Sequence, residues 1–350
     1  LQAIYSVTIV LLEIPSGYLA DVMGRKTTLI MGTILGFFGF AVYSISYDFW
    51  GFLIAEIIMG TGQSLISGAD SAMLYDTLKA SGQKNKYLKF EGRMVSAGNL
   101  AEAVAGILGG LLAEISLRTP FYAQTAVSFM GIPAALLLIE PVRQAKISKM
   151  SFKNILSIVR YALYEHSHLK WNMIYSAVTG ASTLTMAWFV QPYFKYVDLQ
   201  LSLFGLFWTL LNLSVAITSY IAYKIEYKLG QIKMIVLITL LLPFLYFILG
   251  QVHMTWGIAI LFLFYLVRGL ATPVLKDYIN RLSESSNRAT ILSVRNFMIR
   301  IFFSIIGPFL GWYTDHYTLS HALVLASIIF FILAAFSGIY FIKTRKSIQL

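Results

Sequence analysis

Gly17-Tyr18-Leu19-Ala20-Asp21-Val22-Met23-Gly24-Arg25-Lys26 separates two apolar runs, 1–20 and 28–47. Each run has about the twenty residues that a hydrocarbon core of roughly 30 Å demands of a helix. The stretch therefore reads as a short charged turn between two spanning helices. Within it, Gly17 lets another helix approach closely and Gly24 permits the sharp turn. Asp21 can accept hydrogen bonds from the open N–H groups of a neighbouring helix N-terminus, where the dipole favours an anion. The same alternation continues outward from this turn. Further apolar runs lie near 50–77, 94–114, 121–139, 171–194, 201–223, 232–250, 255–275, 290–312 and 320–342. Closed β-barrels, the other spanning solution, need short alternating segments, which this sequence does not contain.

Composition agrees with this reading. Hydrophobic residues make up 58% of the 350 and charged residues 12%, where a soluble chain carries roughly 25% charged. Disorder and an ordinary water-facing enzyme are excluded. The absence of cysteine removes thiol redox chemistry, iron–sulfur clusters and cysteine-based zinc sites. The chain reads as an all-α polytopic membrane protein. Its net charge of +11 is mostly a topological address. The breaks at 25–26, 79–93, 143–170, 224–233 and 276–295, and the tail at 343–346, hold nearly all the Lys and Arg, while the alternate breaks hold Arg118 and Lys195. The crowded side is expected to be cytoplasmic. The first helix then runs from outside to inside and begins at Leu1 with no cleavable signal ahead of it. We expect at least one further helix upstream.

The stretch from Gly17 to Lys26 resembles the signature loop of the major facilitator superfamily: Gly, three residues, Asp, two residues, Gly, Arg, then Lys or Arg. That loop belongs between the second and third helices of a twelve-helix transporter. The resemblance implies a fold of two pseudo-symmetric six-helix halves, with eleven of the twelve helices present here. It also implies that Asp21 meets the start of the eleventh helix, near Arg288-Ala289-Thr290. Arg25 would pair with Asp76 at the end of the fourth helix. Gly17, Asp21, Gly24, Arg25, Lys26 and Asp76 are thus expected to form a conformational latch.

An internal repeat is expected of such a protein. Ser67-Gly68 and Asp76 parallel Arg268-Gly269 and Asp277 at an offset of 201 positions (68 to 269, 76 to 277). Arg93 and Arg295, and Gly109 and Gly311, share an offset of 202. Lys224-Ile225-Glu226-Tyr227-Lys228-Leu229-Gly230 is a degraded copy of the signature loop. The expected organisation is an N-terminal half over 1–140, a cytoplasmic linker over 141–168, a C-terminal half over 169–342 and a cytoplasmic tail over 343–350. The linker is expected to hold a short amphipathic helix around Phe152–Tyr164.

A charge at the bilayer centre costs at least about 2.5–3.5 kcal/mol, so each intramembrane charge is a candidate for function. Glu13 lies on the second helix and Arg300 and Arg295 on the eleventh; Glu13 is expected to pair with one of these arginines, either as a strut or as a protonation-linked switch. Glu102, midway along its helix, suits a proton carrier or a hydrogen bond to Asn212. Asp70 lies beside Ser67 and Ser71, and reads as a cation or proton site or as a satisfied cap. Glu56 stands where drug–proton antiporters of the family place Arg in Arg-x-x-x-Gly-x-Gly; here the run is Glu56-Ile57-Ile58-Met59-Gly60-Thr61-Gly62. Ala105-Gly106-Ile107-Leu108-Gly109-Gly110 keeps two glycines of the antiporter Gly-Pro-x-x-Gly-Gly and loses the Pro. Arg268 is a candidate anchor for an anionic group, or a partner for an acid. With Glu56, Asn212, Tyr175 and Trp188 it makes up the candidate substrate cavity, aromatic walls suiting apolar or cationic compounds.

No metal spacing links the five His residues, and no phosphate-binding glycine loop is present. No catalytic set is legible, so neither a cofactor nor an enzymatic activity is expected. The expected partners are the lipid bilayer, a small-molecule substrate and protons, with no nucleic acid and a monomeric state. The expected location is the plasma or inner membrane, with the C-terminus cytoplasmic. The leading functional reading is proton-coupled export of small apolar or cationic compounds. Its rivals are a proton-coupled uptake symporter for a polar or anionic solute, and a non-transporting scaffold or receptor.

Overall fold

A computed structural model describes residues 2–141 and 152–346. Its α-helices are α1 (Gln2–Met23), α2 (Arg25–Ile45), α3 (Phe49–Ile66), α4 (Ala69–Ala80), α5 (Tyr87–Ile115), α6 (Thr119–Leu136), α7 (Phe152–Arg160), α8 (Ser167–Tyr196), α9 (Phe204–Gln251), α10 (Ile258–Leu282), α11 (Arg288–His316) and α12 (Leu319–Lys346). The described residues contain no strand. Arg143, Lys146 and Lys149 of the expected linker lie outside the described residues, as do 347–350 of the expected tail.

Among the described residues, nine helices are long and apolar enough to cross a bilayer. Helix α9, at 48 residues, takes up two of the runs read from the sequence. It does so because its backbone turns at Gly230 (φ 73°, ψ 165°) without a polar loop. The run at 121–139 is α6, only 18 residues long and not among the nine. The run at 50–77 is two helices, since Gly68 (φ 78°) breaks the chain between α3 and α4. Large apolar side chains such as Leu11, Val127 and Ile305 are more than half exposed, as a lipid solvent allows. The protein is a multi-pass membrane protein.

The chain divides into two units. Unit 1 comprises Leu1–Tyr87, Leu108–Glu165 and Asn280–Phe297. In it α2 packs on α3 and α6, and α1 packs on α3. Asp48 caps α3 by accepting from Gly51 N–H at 2.9 Å, which satisfies one of the open donors of that helix end. The amphipathic helix of the linker is α7, followed by a π-turn over Tyr161–Glu165. It packs on α1, where the Asn154 amide donates to the Tyr18 hydroxyl at 3.2 Å.

Unit 2 comprises Leu88–Ile107, His166–Ile279 and Met298–Leu350. Its core joins α8, α9 and α12. Buried tyrosines pin it, because a hydroxyl in an apolar interior must find an acceptor. Tyr175 donates to the Ile235 carbonyl at 2.9 Å, Tyr246 to the Ser182 carbonyl at 2.7 Å and Tyr193 to the Val252 carbonyl at 3.0 Å.

Candidate functional site

The turn after α1 places the first charges. Gly24 has φ 119° and ψ 137°, a conformation that only glycine adopts without strain. This reversal brings Asp21, at the end of α1, and Arg25, at the start of α2, to the same side. Both side chains are buried. Their open N–H neighbours at the α2 N-terminus are satisfied by Glu140, which accepts from Arg25 N–H at 3.1 Å and Lys26 N–H at 2.6 Å. Lys26 thus enters the site through its backbone.

Asp21 receives three bonds from the start of α11. Its carboxylate accepts from Thr290 N–H at 2.8 Å, Thr290 Oγ1 at 2.7 Å and Ala289 N–H at 3.2 Å. This is an anion seated on a helix N-terminus, favoured by both dipole and open donors. Arg25 donates to Asp76 of α4, to the Ala72 carbonyl at 3.1 Å and to the Ser285 carbonyl at 2.7 Å. It also contacts Asp21, at 3.4 Å.

Asp76 is shared. It accepts from Arg25, from Arg288 and from the Ser285 hydroxyl at 2.6 Å. Arg288 also donates to the Ser283 carbonyl and stands 4.2 Å from the Tyr75 ring centroid. Two carboxylates and two guanidiniums are therefore buried together with balanced charge. Close packing supports them: a Cβ on Gly17 would collide with Ser293 and lie 2.9 Å from the Ala289 carbonyl.

A second polar cluster lies one layer further along the same helices. Glu13, fully buried, accepts from Ser67 Oγ at 2.5 Å, and Ser67 Oγ in turn accepts from the Asn296 amide at 2.7 Å. Arg295 is buried and donates to Asn296 Oδ1 at 2.9 Å. Arg300, read as a partner for Glu13, belongs to unit 2. Asp70 lies in the first turn of α4 and accepts from Ser71 N–H at 2.6 Å. It is a helix-end acid rather than a mid-helix one, because the chain breaks at Gly68. Glu56 is buried at the wall of a crevice of 330 Å³ with Tyr5, Gly36, Phe40, Met59 and Gln63.

In unit 2 several expectations are corrected. Tyr175 is a core pin, not a cavity wall, since its ring faces α9 and its hydroxyl is bonded there. Asn212 is buried, and its amide donates to its own helix at the Trp208 carbonyl, 3.1 Å away. Glu102 is exposed. Glu102 and Arg268 both act electrostatically on the Tyr265 hydroxyl, and the Arg268 guanidinium stands 5.7 Å from the Tyr265 ring centroid. Trp188 is half-exposed and stacks on Phe303, centroids 6.2 Å apart.

Sequence reasoning missed four participants. Arg288, Ser285 and Glu140 complete the buried cluster, and Lys276 forms a 2.9 Å ion pair with the fully buried Glu91 in unit 2. Arg288 and Lys276 had been read as topological charges. Positions close to helix ends look alike in a sequence whether they face solvent or a buried acid.

The family model described as Major Facilitator Superfamily matches residues 1–308. The chain belongs to the Major Facilitator Superfamily. Within the superfamily, an uncharacterised MFS-type transporter of Methanocaldococcus jannaschii is 24% identical over 233 residues, covering 64% of this chain and 58% of that protein. The quinolone resistance protein NorA of Staphylococcus aureus is 24% identical over 132 residues, covering 38% of this chain and 33% of NorA. Both matches span less than two thirds of the relative's length. The crystal structure of the human organic anion transporter MFSD10 superposes with a TM-score of 0.79 at 14% identity, over 95% of this chain and 82% of that one. This last likeness is one of fold.

Proposed function

We propose that this protein is a secondary active transporter working by alternating access, coupled to protons and exporting small apolar or cationic compounds. The observation that carries the reading is the buried cluster of Asp21, Arg25, Asp76 and Arg288. It joins the signature loop and α4 to residues 283–290, from the opposite end of the chain. A latch of this kind favours one conformation and must break for the other, as rocking of two repeats about a midplane site requires. The nearly complete burial of these groups makes the cost of leaving one unpaired high, which gives the switch its two states. Proton coupling falls to the intramembrane acids Glu13, Glu56 and Glu102, with Asp70 a weaker candidate because it lies in the first turn of α4. Similarity to NorA, named for quinolone resistance, supports export.

The test is proton efflux from everted membrane vesicles with an imposed gradient, inside acid, followed by a gradient-sensitive dye. Adding a quinolone or a lipophilic amine is expected to collapse the gradient in the wild type and not in Asp21→Asn. No response to either compound would overturn the export reading.

A second reading rests on Arg268 beside Tyr265 and on the likeness to MFSD10, named as an organic anion transporter. In it, the solute is anionic and moves inward with protons. A response to organic anions on the opposite gradient, lost in Arg268→Gln, would select it. The location proposed for either reading is the plasma or inner membrane, with the protein monomeric and its C-terminus cytoplasmic.

A further inference from the structure

The second arm of α9, beyond Gly230, has two apolar faces. One, with Met234, Ile235, Ile238, Leu242 and Leu245, is buried in the core of unit 2. The other is a stripe of Ile232, Val236, Leu237, Leu240 and Phe244 that, with Leu229 ahead of the turn, lines an open groove of 680 Å³. Ile232, Val236, Leu240 and Phe244 fall four apart, so they stand in one line along the helix. Leu240 and Phe244 are 56% and 57% exposed. The one polar side chain lining the groove is Lys233, near one end.

Two features indicate what the groove holds. The first is charge. Lys228 is exposed and Tyr227 is 90% exposed at the Gly230 turn, next to Lys233. The acid of that turn, Glu226, is occupied by the Tyr278 hydroxyl at 3.1 Å. A lysine–tyrosine cluster at a helix end is the side-chain set of a membrane interface. The second is length. From Lys233 to Phe244 the helix rises about 16 Å at 1.5 Å per residue, and one leaflet is about 15 Å of hydrocarbon, half of roughly 30 Å. A second protein helix would prefer small residues at its contact, whereas this stripe is built of large branched and aromatic ones.

We propose that the groove binds an anionic glycerophospholipid. One acyl chain lies along Ile232, Val236, Leu240 and Phe244, and the phosphate sits at Lys233 with Lys228 beside it. The site is cationic at the headgroup end and carries no lining acid to hold a choline, so it selects anionic over zwitterionic lipid.

The test uses the full chain in mild detergent, incubated with equal amounts of phosphatidylglycerol and phosphatidylcholine and examined by native mass spectrometry. The wild type is expected to retain phosphatidylglycerol preferentially. Lys233→Gln should lower that preference about fivefold, the factor that one lysine near an anionic surface is worth, while Lys233→Arg should keep it. Leu240→Trp fills the groove and should lower retention of both lipids. Equal preference in wild type and in the Lys228→Gln/Lys233→Gln double variant would overturn the proposal. So would loss of preference in Lys233→Arg, or a dimer mass that Leu240→Trp abolishes, which would place a second copy on this face.

Discussion

The two units build a similar corner from different chemistry. In unit 1 the turn at Gly24 opens a cluster of two carboxylates and two guanidiniums, each nearly excluded from solvent. In unit 2 the turn at Gly230 also has positive φ, and Asp277 is also buried. One ion pair near it is Glu91 with Lys276, whose lysine is 16% exposed. Both corners share the backbone device and differ in the ion pairs beside it. Backbone reversal needs only a glycine, whereas a balanced buried quartet needs every member present, since a half-satisfied set costs more than none. On this comparison, unit 1 is the stiff corner and unit 2 the compliant one.

The largest expected effect that could break the comparison comes from Asp76→Ala, which strands both Arg25 and Arg288. It should cost about 3–5 kcal/mol in chemical unfolding in detergent, and an unchanged midpoint would show that the quartet contributes nothing. Asp21→Asn keeps the shape but weakens charge-assisted bonds to Ala289 and Thr290. We expect a loss of about 1.5–3 kcal/mol in the same assay.

Further variants sharpen the contrast. Gly24→Ala and Gly230→Ala should each cost about 1–3 kcal/mol, because the backbone device is common to both units. Thermal melting in which one is neutral would show that the shared turn is only apparent. Lys276→Gln retains a donor toward Glu91 at a partly exposed site and should cost about 1 kcal/mol. A loss as large as that of Asp76→Ala would remove the asymmetry. Tyr278→Phe, which removes one hydrogen bond to Glu226, is expected to cost about 0.5–1.5 kcal/mol in equilibrium unfolding.

How much was legible beforehand differs residue by residue. The spacing of Gly17, Asp21, Gly24, Arg25 and Lys26 is a local pattern and can be read without a fold. Arg288 carries as much of the cluster as Arg25, but it sits in a polar break among other basic residues and nothing local marks it as buried. Glu140 follows an apolar run and looks like a loop acid, yet it closes the N-terminus of α2. Tyr175 and Trp188 are both aromatic residues within one helix; one is a core pin and the other half-exposed, and the sequence of α8 gives no sign of which face each takes. In lipid both the buried and the exposed face of a helix are apolar, so the periodicity that orients a soluble helix is weak. That of α9 shows it: Val236 and Ile238 are equally hydrophobic, and one is exposed while the other is buried.

The sequence by itself determined that the chain is helical, that it spans a membrane many times, and where the turn at Gly24 falls. Run length and the demand that every backbone group in lipid be paired within its own segment leave no other solution. Only the tertiary structure decided which charges meet. Arg25, Asp76 and Arg288 lie far apart along the chain, and their pairing depends on how helices pack across faces whose hydrophobicity does not distinguish them.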